Sequence, residues 1–134
     1  MSFKATLNLG DKKYRLKTVH FDFEQPHDYK SAQPTGEVLS GNIHVTTIVT
    51  KDPTLLEWMV ERGMEKDGSI VYYNKKDDSA WRTIEFKKGH LVSYSESFSD
   101  GGEVICDLTI ISPELKVGDK ISWIAPFKDM FDEG

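Results

Sequence analysis

The stretch Asp52-Pro53-Thr54-Leu55-Leu56-Glu57-Trp58-Met59-Val60-Glu61-Arg62-Gly63-Met64 decides the fold, because it is the one segment whose pattern predicts an α-helix. Asp52 can accept hydrogen bonds from free N–H groups of the first turn, and Pro53 suits the first helical position, which needs no N–H. One face of the predicted helix is apolar and contains Leu55, Leu56, Met59, Val60 and Gly63. A helix of about three turns cannot bury such a face by itself, so it must pack on a sheet.

The segments on both sides of the helix alternate between apolar and polar residues, which is typical of half-buried strands. A change of parity predicts a β-bulge near Lys17-Thr18, and the residues at 99–102 (Ser-Asp-Gly-Gly) predict a hairpin turn. We expect Asp67-Gly68 to form a turn after the helix. About eight strands joined by hairpins predict a mainly β protein. Its architecture is an antiparallel β-barrel or two packed sheets with a single α-helix at about residues 53–65.

Two segments lack a strand pattern and are more than simple connections. Residues 24–37 contain Pro26, Pro34 and Gly36 among polar residues, and a loop of this length is usually functional when it is ordered. Residues 124–134 form a tail with Phe127 and Phe131, whose aromatic rings favour a packed surface over solvent. The length of the chain predicts one domain over residues 1–134, with this loop and this tail as its irregular parts.

Charge and composition exclude several classes of partner. The net charge is -5, and the 17 Lys and Arg residues are scattered, whereas nucleic-acid binding needs them clustered. The single cysteine, Cys106, excludes an internal disulfide framework. The first residues lack the apolar core of a signal peptide, and no apolar run approaches the roughly 20 residues of a membrane-spanning helix. We therefore expect synthesis in the cytoplasm, no nucleic-acid partner and no membrane insertion.

The titratable residues do not form a recognisable catalytic or metal-binding pattern. Four histidines are scattered without metal-ligand spacing: His20, His27, His44 and His90. Cys106 has apolar neighbours, which is typical of a small buried side chain and not of an activated nucleophile. Asp77-Asp78-Ser79 lacks the regular carboxylate spacing of a calcium loop. We expect no catalytic residue, no cofactor and no metal, so a binding or assembly role is favoured over an enzyme.

An ordered set of short segments carries a family resemblance over nearly the whole chain. The segments are Ser2 to Leu16 (SFKATLNLGDKKYRL), Pro34 to Val38 (PTGEV), Lys51-Asp52 with Leu56 to Met59 (LEWM), Lys66 to Ile70 (KDGSI), Lys88 to Tyr94 (KGHLVSY) and Ile111 to Pro113 (ISP). In this order they resemble the Hcp (TssD) family of tube proteins of the type VI secretion system, in its Bacteroidetes form. None of the segments is a catalytic motif.

The resemblance implies a structural function. Members of the family fold as a β-barrel of two sheets with one helix alongside, a fold shared with phage tail tube proteins. Six copies form a ring, and rings stack into a hollow tube that a contractile sheath drives out of the cell, with a spike at its tip and effectors in its lumen. The resemblance therefore implies assembly in the cytoplasm and export through the secretion system without a signal peptide. Its implied partners are other copies of the chain and sheath, spike and effector proteins.

Three sets of residues are hypothetical contacts in such an assembly. The loop residues are Gln25, Pro26, Tyr29 and Pro34, the helix residues are Glu57, Trp58 and Glu61, and the tail residues are Phe127 and Phe131. Trp58 lies at the edge of the apolar helix face, so the pattern fits either a core residue or an anchor for a partner.

Two alternatives stay open at this point. The first is a monomeric barrel that binds a lipid or another small molecule, which needs an enlarged interior. Phe21, Phe23, Phe86 and Tyr94 are predicted to face inward and could fill that interior. The second is a small enzyme, which lacks a pair of titratable groups at recognisable spacing.

Overall fold

Ten strands and one helix make up residues 2–126, which are the residues that the computed structural model describes. In chain order the elements are β1 Phe3–Leu9, β2 Lys12–Phe21, β3 His27–Asp28, β4 Gln33–Pro34, β5 Asn42–Ile48, α1 Thr54–Val60, β6 Lys66–Asn74, β7 Ala80–Phe98, β8 Val104–Ile111, β9 Glu114–Val117 and β10 Ile121–Ile124. The mainly β class and the single helix of the prediction are confirmed for this part of the chain.

Strand β7 closes the sheet into a barrel because it is 19 residues long and pairs with different partners along its length. Its first half pairs with β6 and β9, and its second half pairs with β8. Six antiparallel strands follow one another around the barrel in the order β7-β6-β1-β2-β5-β8, and β8 returns to β7. Strands β9 and β10 extend the sheet beyond the barrel. The predicted antiparallel barrel is therefore confirmed.

The alternation seen in the sequence sorts residues between the barrel interior and its outer surface. Aliphatic side chains from most of the strands are fully buried, among them Leu7, Ile43, Ile70, Ile84 and Ile110. Their neighbours in sequence, such as Asn42 and Glu85, point outward and are exposed. Burial of these side chains supplies the main favourable term in folding. The interior is filled, as a small barrel of this kind requires.

Two local predictions about the strands are confirmed. The register between β2 and β5 shifts between Leu16 and Thr18, at the site of the predicted bulge. The N–H of Gly102 donates to the carbonyl of Ser99 at 2.9 Å, and Gly101 has a φ of 78°, so the predicted turn joins β7 to β8. A positive φ is the reason why the turn needs glycine at position 101.

One other prediction about local structure was wrong, and one short strand was not predicted. Asp67 and Gly68, predicted as a turn, lie inside β6, where the register against β7 shifts between Lys66 and Gly68. The carboxylate of Asp67 accepts a 2.9 Å hydrogen bond from the N–H of Lys88, which fixes the bulge from the neighbouring strand. The short strand β9 was also missed, since Leu115 is its only fully buried residue and four residues carry little periodicity.

The helix is shorter than predicted and uses a different face. It covers Thr54–Val60, because Glu61 is already extended and Gly63 adopts a φ of 76°. Its buried residues are Leu55 and Trp58, whereas Leu56 and Val60 of the predicted apolar face are exposed. No helix within residues 2–126 has the length and apolar character that a membrane crossing requires.

Candidate assembly surfaces

The predicted loop is a hairpin that stands away from the barrel, and we call residues 24–37 the projecting hairpin. Its base is a β-bridge in which Glu24 and Leu39 exchange backbone hydrogen bonds of 2.8 and 2.6 Å. Further out, His27–Asp28 pairs with Gln33–Pro34. Every residue of this hairpin is exposed, and Tyr29 is 90% exposed. The predicted exposed loop is confirmed as exposed, but the prediction missed the two short paired strands within it.

Polar interactions hold the tip of the projecting hairpin in shape. The carboxylate of Asp28 accepts hydrogen bonds from the N–H of Lys30 at 3.1 Å and from the hydroxyl of Ser31 at 2.9 Å. These hydrogen bonds, and most of all the one from the Lys30 backbone, lower the pKa of Asp28 below its ordinary value. Nearer the base, the amide of Gln25 donates to the carbonyl of Gly36 at 3.1 Å. A segment held in one shape loses less conformational freedom when it binds, so this surface is preorganised for a partner.

Pro26 and Pro34 occupy the two arms of the projecting hairpin, one residue out of register with each other. The carbonyl of Pro26 accepts the N–H of Thr35 at 2.8 Å, and Pro34 pairs with His27. The ring of His27 lies 4.9 Å from the ring of Tyr29, measured between centroids. The structure thus brings Gln25, Pro26, Tyr29 and Pro34 together in one exposed element, as their closeness in sequence predicts.

Trp58 belongs to the core, which is the first of the two readings that its position allowed. Its side chain is 1% exposed, and its indole N–H donates to the carbonyls of Met64 at 3.1 Å and Gly89 at 3.2 Å. The ring also stacks on Phe86, with 6.4 Å between centroids. A buried ring with a satisfied donor cannot anchor a partner, so Trp58 as a contact residue is a correction to the prediction. Glu57 is exposed on the helix, and Glu61 is exposed just after the helix ends.

Several exposed apolar side chains were not singled out from the sequence. Phe98 is 67% exposed near the turn between β7 and β8, and Ile121 and Ile124 on the terminal strand β10 are 56% and 52% exposed. Trp81 is 52% exposed and contacts Phe3, with 4.9 Å between ring centroids. In the sequence, the position of Phe98 directly before the turn at residues 99–102 could have identified it as exposed. Phe127 and Phe131 of the predicted tail contact lie outside the described residues.

Residues 2–126 contain no cluster of three or more histidine, cysteine or carboxylate side chains that could hold a metal ion. Cys106 is fully buried, and burial raises the pKa of its thiol to about 11, so the group is a poor nucleophile at neutral pH. A concavity of about 650 Å³ on the outside of the barrel is lined by apolar residues, among them Ile111 and Trp123, and by polar and charged ones, among them Glu65 and His90. The described geometry therefore provides surfaces for contact.

Comparison with known proteins identifies relatives of this arrangement. A family model described as "Hemolysin coregulated protein Hcp (TssD)" matches residues 1–122. The search among curated proteins gave no match. Among solved structures, Hcp1 from Flavobacterium johnsoniae is 22% identical, with a TM-score of 0.83 over 90% of this chain and 98% of that chain. Hcp1 from Salmonella typhimurium is 13% identical, with a TM-score of 0.71 over 91% and 93% of the two chains.

A chain from the sheath–tube complex of an extracellular contractile injection system, PVC, is also similar. It is 17% identical, with a TM-score of 0.59 over 86% of this chain and 88% of that chain. At these identities the solved structures establish the shared fold alone. The family model extends over all but the last residues of the sequence and agrees with the barrel and its single helix. The chain therefore belongs to the Hcp (TssD) family.

Proposed function

We propose that this protein is a structural subunit of the inner tube of a type VI secretion system, in which six copies form a ring and rings stack into a hollow tube. The observation that carries the proposal is the match to the Hcp family over residues 1–122. The similarity of the barrel to a chain of a contractile sheath–tube complex supports it. Such a role needs repeated contact surfaces and no catalytic group.

The projecting hairpin is the proposed contact with a neighbouring subunit or with the next ring. Its residues are ordered by hydrogen bonds within the hairpin, yet all of them are exposed. A stacked neighbour would cover this surface and the exposed ring of Tyr29. The tail residues Phe127 and Phe131 are proposed to dock on the barrel or on a neighbouring subunit.

Glu57 on the exposed side of α1 and Glu61 just after its end are the proposed contact with the sheath or with an adjacent subunit. The helix packs on β7 through Leu55 and Trp58, so its opposite side remains available. In this proposal the ring assembles in the cytoplasm and leaves through the secretion system without a signal peptide. Spike proteins at the tip and effectors in the lumen complete the set of proposed partners.

The solution mass, measured by light scattering after gel filtration, tests self-assembly. A ring of six copies has six times the subunit mass of 15.3 kDa. Electron microscopy of the same fractions should then show rings with a central hole. A monomer at all accessible concentrations would contradict the ring and favour a monomeric ligand-binding barrel. The filled interior, with Ile70, Ile84 and Phe86 buried, argues against that alternative.

Two variants separate the proposed surfaces. Replacing residues 27–34 by Gly-Gly removes the tip of the projecting hairpin while the bridge between Glu24 and Leu39 remains. We expect this variant to lose stacking of rings or ring formation itself. The double substitution Glu57→Lys and Glu61→Lys should leave rings intact and reduce sheath-driven export. Rings and tubes that form normally without the hairpin tip would refute its role.

A further inference from the structure

Charge is divided unevenly along the sequence. Residues 1–18 contain five cationic side chains and one acidic one, Asp11; the cationic ones are Lys4, Lys12, Lys13, Arg15 and Lys17. Residues 89–115 contain five acidic side chains and no Lys or Arg; the acidic ones are Glu96, Asp100, Glu103, Asp107 and Glu114. Part of this charge is balanced within one copy, because Lys17 pairs with Glu103 at 2.9 Å and Glu103 lines one concavity together with Arg15 and Lys75. The charges that remain form a cationic surface and an anionic surface.

The cationic surface lies on the outside of the barrel, and we call Lys13, Arg15 and Lys75 the basic face. Lys13 and Arg15 share one side of β2, because Tyr14 between them is buried. Together with Lys75 they line an open concavity of about 560 Å³ that also includes Tyr73. Lys4, at the edge of this concavity, is paired with Asp78 at 2.6 Å. Within residues 2–126, none of the three cations of the basic face has an ion-pair partner.

The anionic surface is the hairpin formed by the end of β7 and the start of β8, and we call residues 96–107 the acidic hairpin. Glu103 is its only carboxylate with a cationic partner among the described residues, Lys17 at 2.9 Å. Glu96 accepts the hydroxyl of Tyr94 at 2.7 Å, and Asp107 accepts the hydroxyl of Thr46 at 2.7 Å. Hydroxyl donors leave the negative charge of these carboxylates uncompensated.

An exposed aromatic ring accompanies the charges of the acidic hairpin. Phe98 is 67% exposed and lies two residues from both Glu96 and Asp100. The concavity of the basic face, in turn, contains Tyr73 and the alkyl stems of Lys13 and Lys75, which an aromatic ring can contact. The acidic residues around this aromatic ring and the cations around the concavity are complementary in charge.

We propose that the acidic hairpin of one copy of this protein binds the basic face of a second copy. This inference rests on the proposed self-assembly and names the surfaces that meet. The two surfaces differ, so the contact is heterologous and repeats from copy to copy until it closes into a ring or continues along a stack. A second copy is the fitting occupant because this chain itself carries an acidic surface with an exposed aromatic ring.

Carbodiimide cross-linking of wild-type protein tests the contact directly, because the reagent joins amines to carboxylates that already touch. Unlabelled and ¹⁵N-labelled chains are mixed under dissociating conditions, reassembled and cross-linked. We expect peptides of mixed isotope composition that join Lys13 or Lys75 to Glu96 or Asp100. Cross-links within single copies only, or mixed links only elsewhere, would overturn the proposal. This outcome is independent of the number of copies in the ring.

A charge exchange provides the second test. Lys13→Glu with Arg15→Glu, and separately Glu96→Lys with Asp100→Lys, should each weaken self-association by at least about tenfold, because like charges then meet. All four substitutions in one chain should restore it. The matched control is Lys116→Glu with Lys120→Glu, the same change of charge at other exposed positions, which should leave the oligomer intact. Circular dichroism checks that each variant folds.

The outcomes separate this inference from the proposed function. If both charge-reversed variants form rings as well as the wild type does, the named contact is refuted and the tube role still stands. If the chain with all four substitutions remains dissociated although both reversed variants are folded, the basic face binds an acidic partner other than the hairpin. Higher salt should weaken the wild-type contact, since the Debye length falls from about 8 Å at 0.15 M to about 3 Å at 1 M.

Discussion

The hydroxyl of Tyr14 donates a 2.8 Å hydrogen bond to Oδ2 of Asp52, and this bond joins strand β2 to the start of helix α1. The other carboxylate oxygen of Asp52 accepts Lys12 Nζ at 3.0 Å and both the N–H and the hydroxyl of Thr54, at 3.0 and 2.6 Å. Asp52 thus accepts the N–H of the first helical residue, as predicted, but the N-cap position itself is occupied by Pro53, which was predicted to be the first helical residue. One carboxylate connects the barrel wall to the only helix of the described chain.

Removing the phenol hydroxyl by Tyr14→Phe should destabilise the protein by about 1–3 kcal/mol, because a hydrogen bond to a charged acceptor is lost at a buried position. Urea denaturation followed by tryptophan fluorescence measures this change. Tyr73→Phe is the matched control, since the hydroxyl of Tyr73 has no hydrogen-bond partner within residues 2–126. Equal stability of the two variants would show that the Tyr14–Asp52 bond does not contribute.

The stability that Tyr14 contributes should disappear at high pH. The pKa of Tyr14 is raised to about 12, mainly by burial and to a smaller extent by the hydrogen bond to Asp52, whereas an unfolded tyrosine titrates near 10. Between these values the unfolded chain has lost its proton and the folded chain keeps it, so stability falls as pH rises from about 10 to 12. The wild type should fall more steeply than Tyr14→Phe in denaturation series over this range. Parallel curves would contradict the assignment.

Low pH should remove the stability contributed by Asp52, which is the acceptor of the same hydrogen bond. Hydrogen bonds from Thr54, Lys12 and Tyr14 hold the pKa of Asp52 well below its ordinary value. The folded carboxylate therefore stays ionised when the unfolded one protonates, and its contribution is lost as pH falls below about 4. Asp52→Asn should be less stable than the wild type at pH 7, and the difference should shrink towards pH 2. A difference that is constant with pH would count against this role.

Trp58 gives a test of which helix face is buried. Trp58→Phe removes the donor to the carbonyls of Met64 and Gly89 and leaves a void beside Phe86, so we expect a loss of about 2–4 kcal/mol. Val60→Ala, at a position that is 72% exposed, should change the free energy of unfolding by less than about 0.5 kcal/mol. Comparable losses in the two variants would show that Val60, on the face predicted from the sequence, is buried as well.

The sequence predicts what depends on local alternation. Apolar positions two residues apart, as in Phe3–Leu9, identify strands, and a break in that alternation locates the bulge at Lys17-Thr18. A helix of seven residues is a weaker case, because two turns contain too few positions to separate its faces by period alone. The buried face is selected by β7, which Leu55 and Trp58 contact.

Features that depend on distant residues were not accessible from local pattern. The Asp67-Gly68 pair has turn composition, yet the N–H of Lys88 binds Asp67 and Phe86 packs against Gly68, so tertiary contacts hold it in a strand. The exposed residues of the projecting hairpin were located by loop length, while its strand pairing depends on contacts between its two arms. The exposure of Phe98, and the placement of Lys13, Arg15 and Lys75 around one concavity, became apparent only with the barrel in place.

Cys106 offers a direct measure of opening of the barrel. Its thiol is fully buried and its pKa is raised to about 11, so few molecules present a thiolate at pH 8. We expect no reaction of the folded protein with a thiol-specific disulfide reagent over minutes, and complete reaction of one thiol in concentrated urea. Rapid labelling without denaturant would show that β8 opens locally.

Gly68 is the position where one added carbon should cost most among the strands. A Cβ there would lie 2.7 Å from both Leu9 Cδ2 and Phe86 Cζ, and 2.8 Å from the carbonyl oxygen of Asn8. The backbone oxygen cannot move without disturbing the pairing of β1 with β6, so Gly68→Ala should destabilise the protein by about 1–3 kcal/mol. Gly102→Ala is the matched control, because its nearest contact would be 3.3 Å and its φ is not positive. We expect the control to remain within about 1 kcal/mol of the wild type in urea denaturation. If Gly68→Ala were as stable as the control, the close contact between β6 and Phe86 that replaces the predicted turn would be wrong.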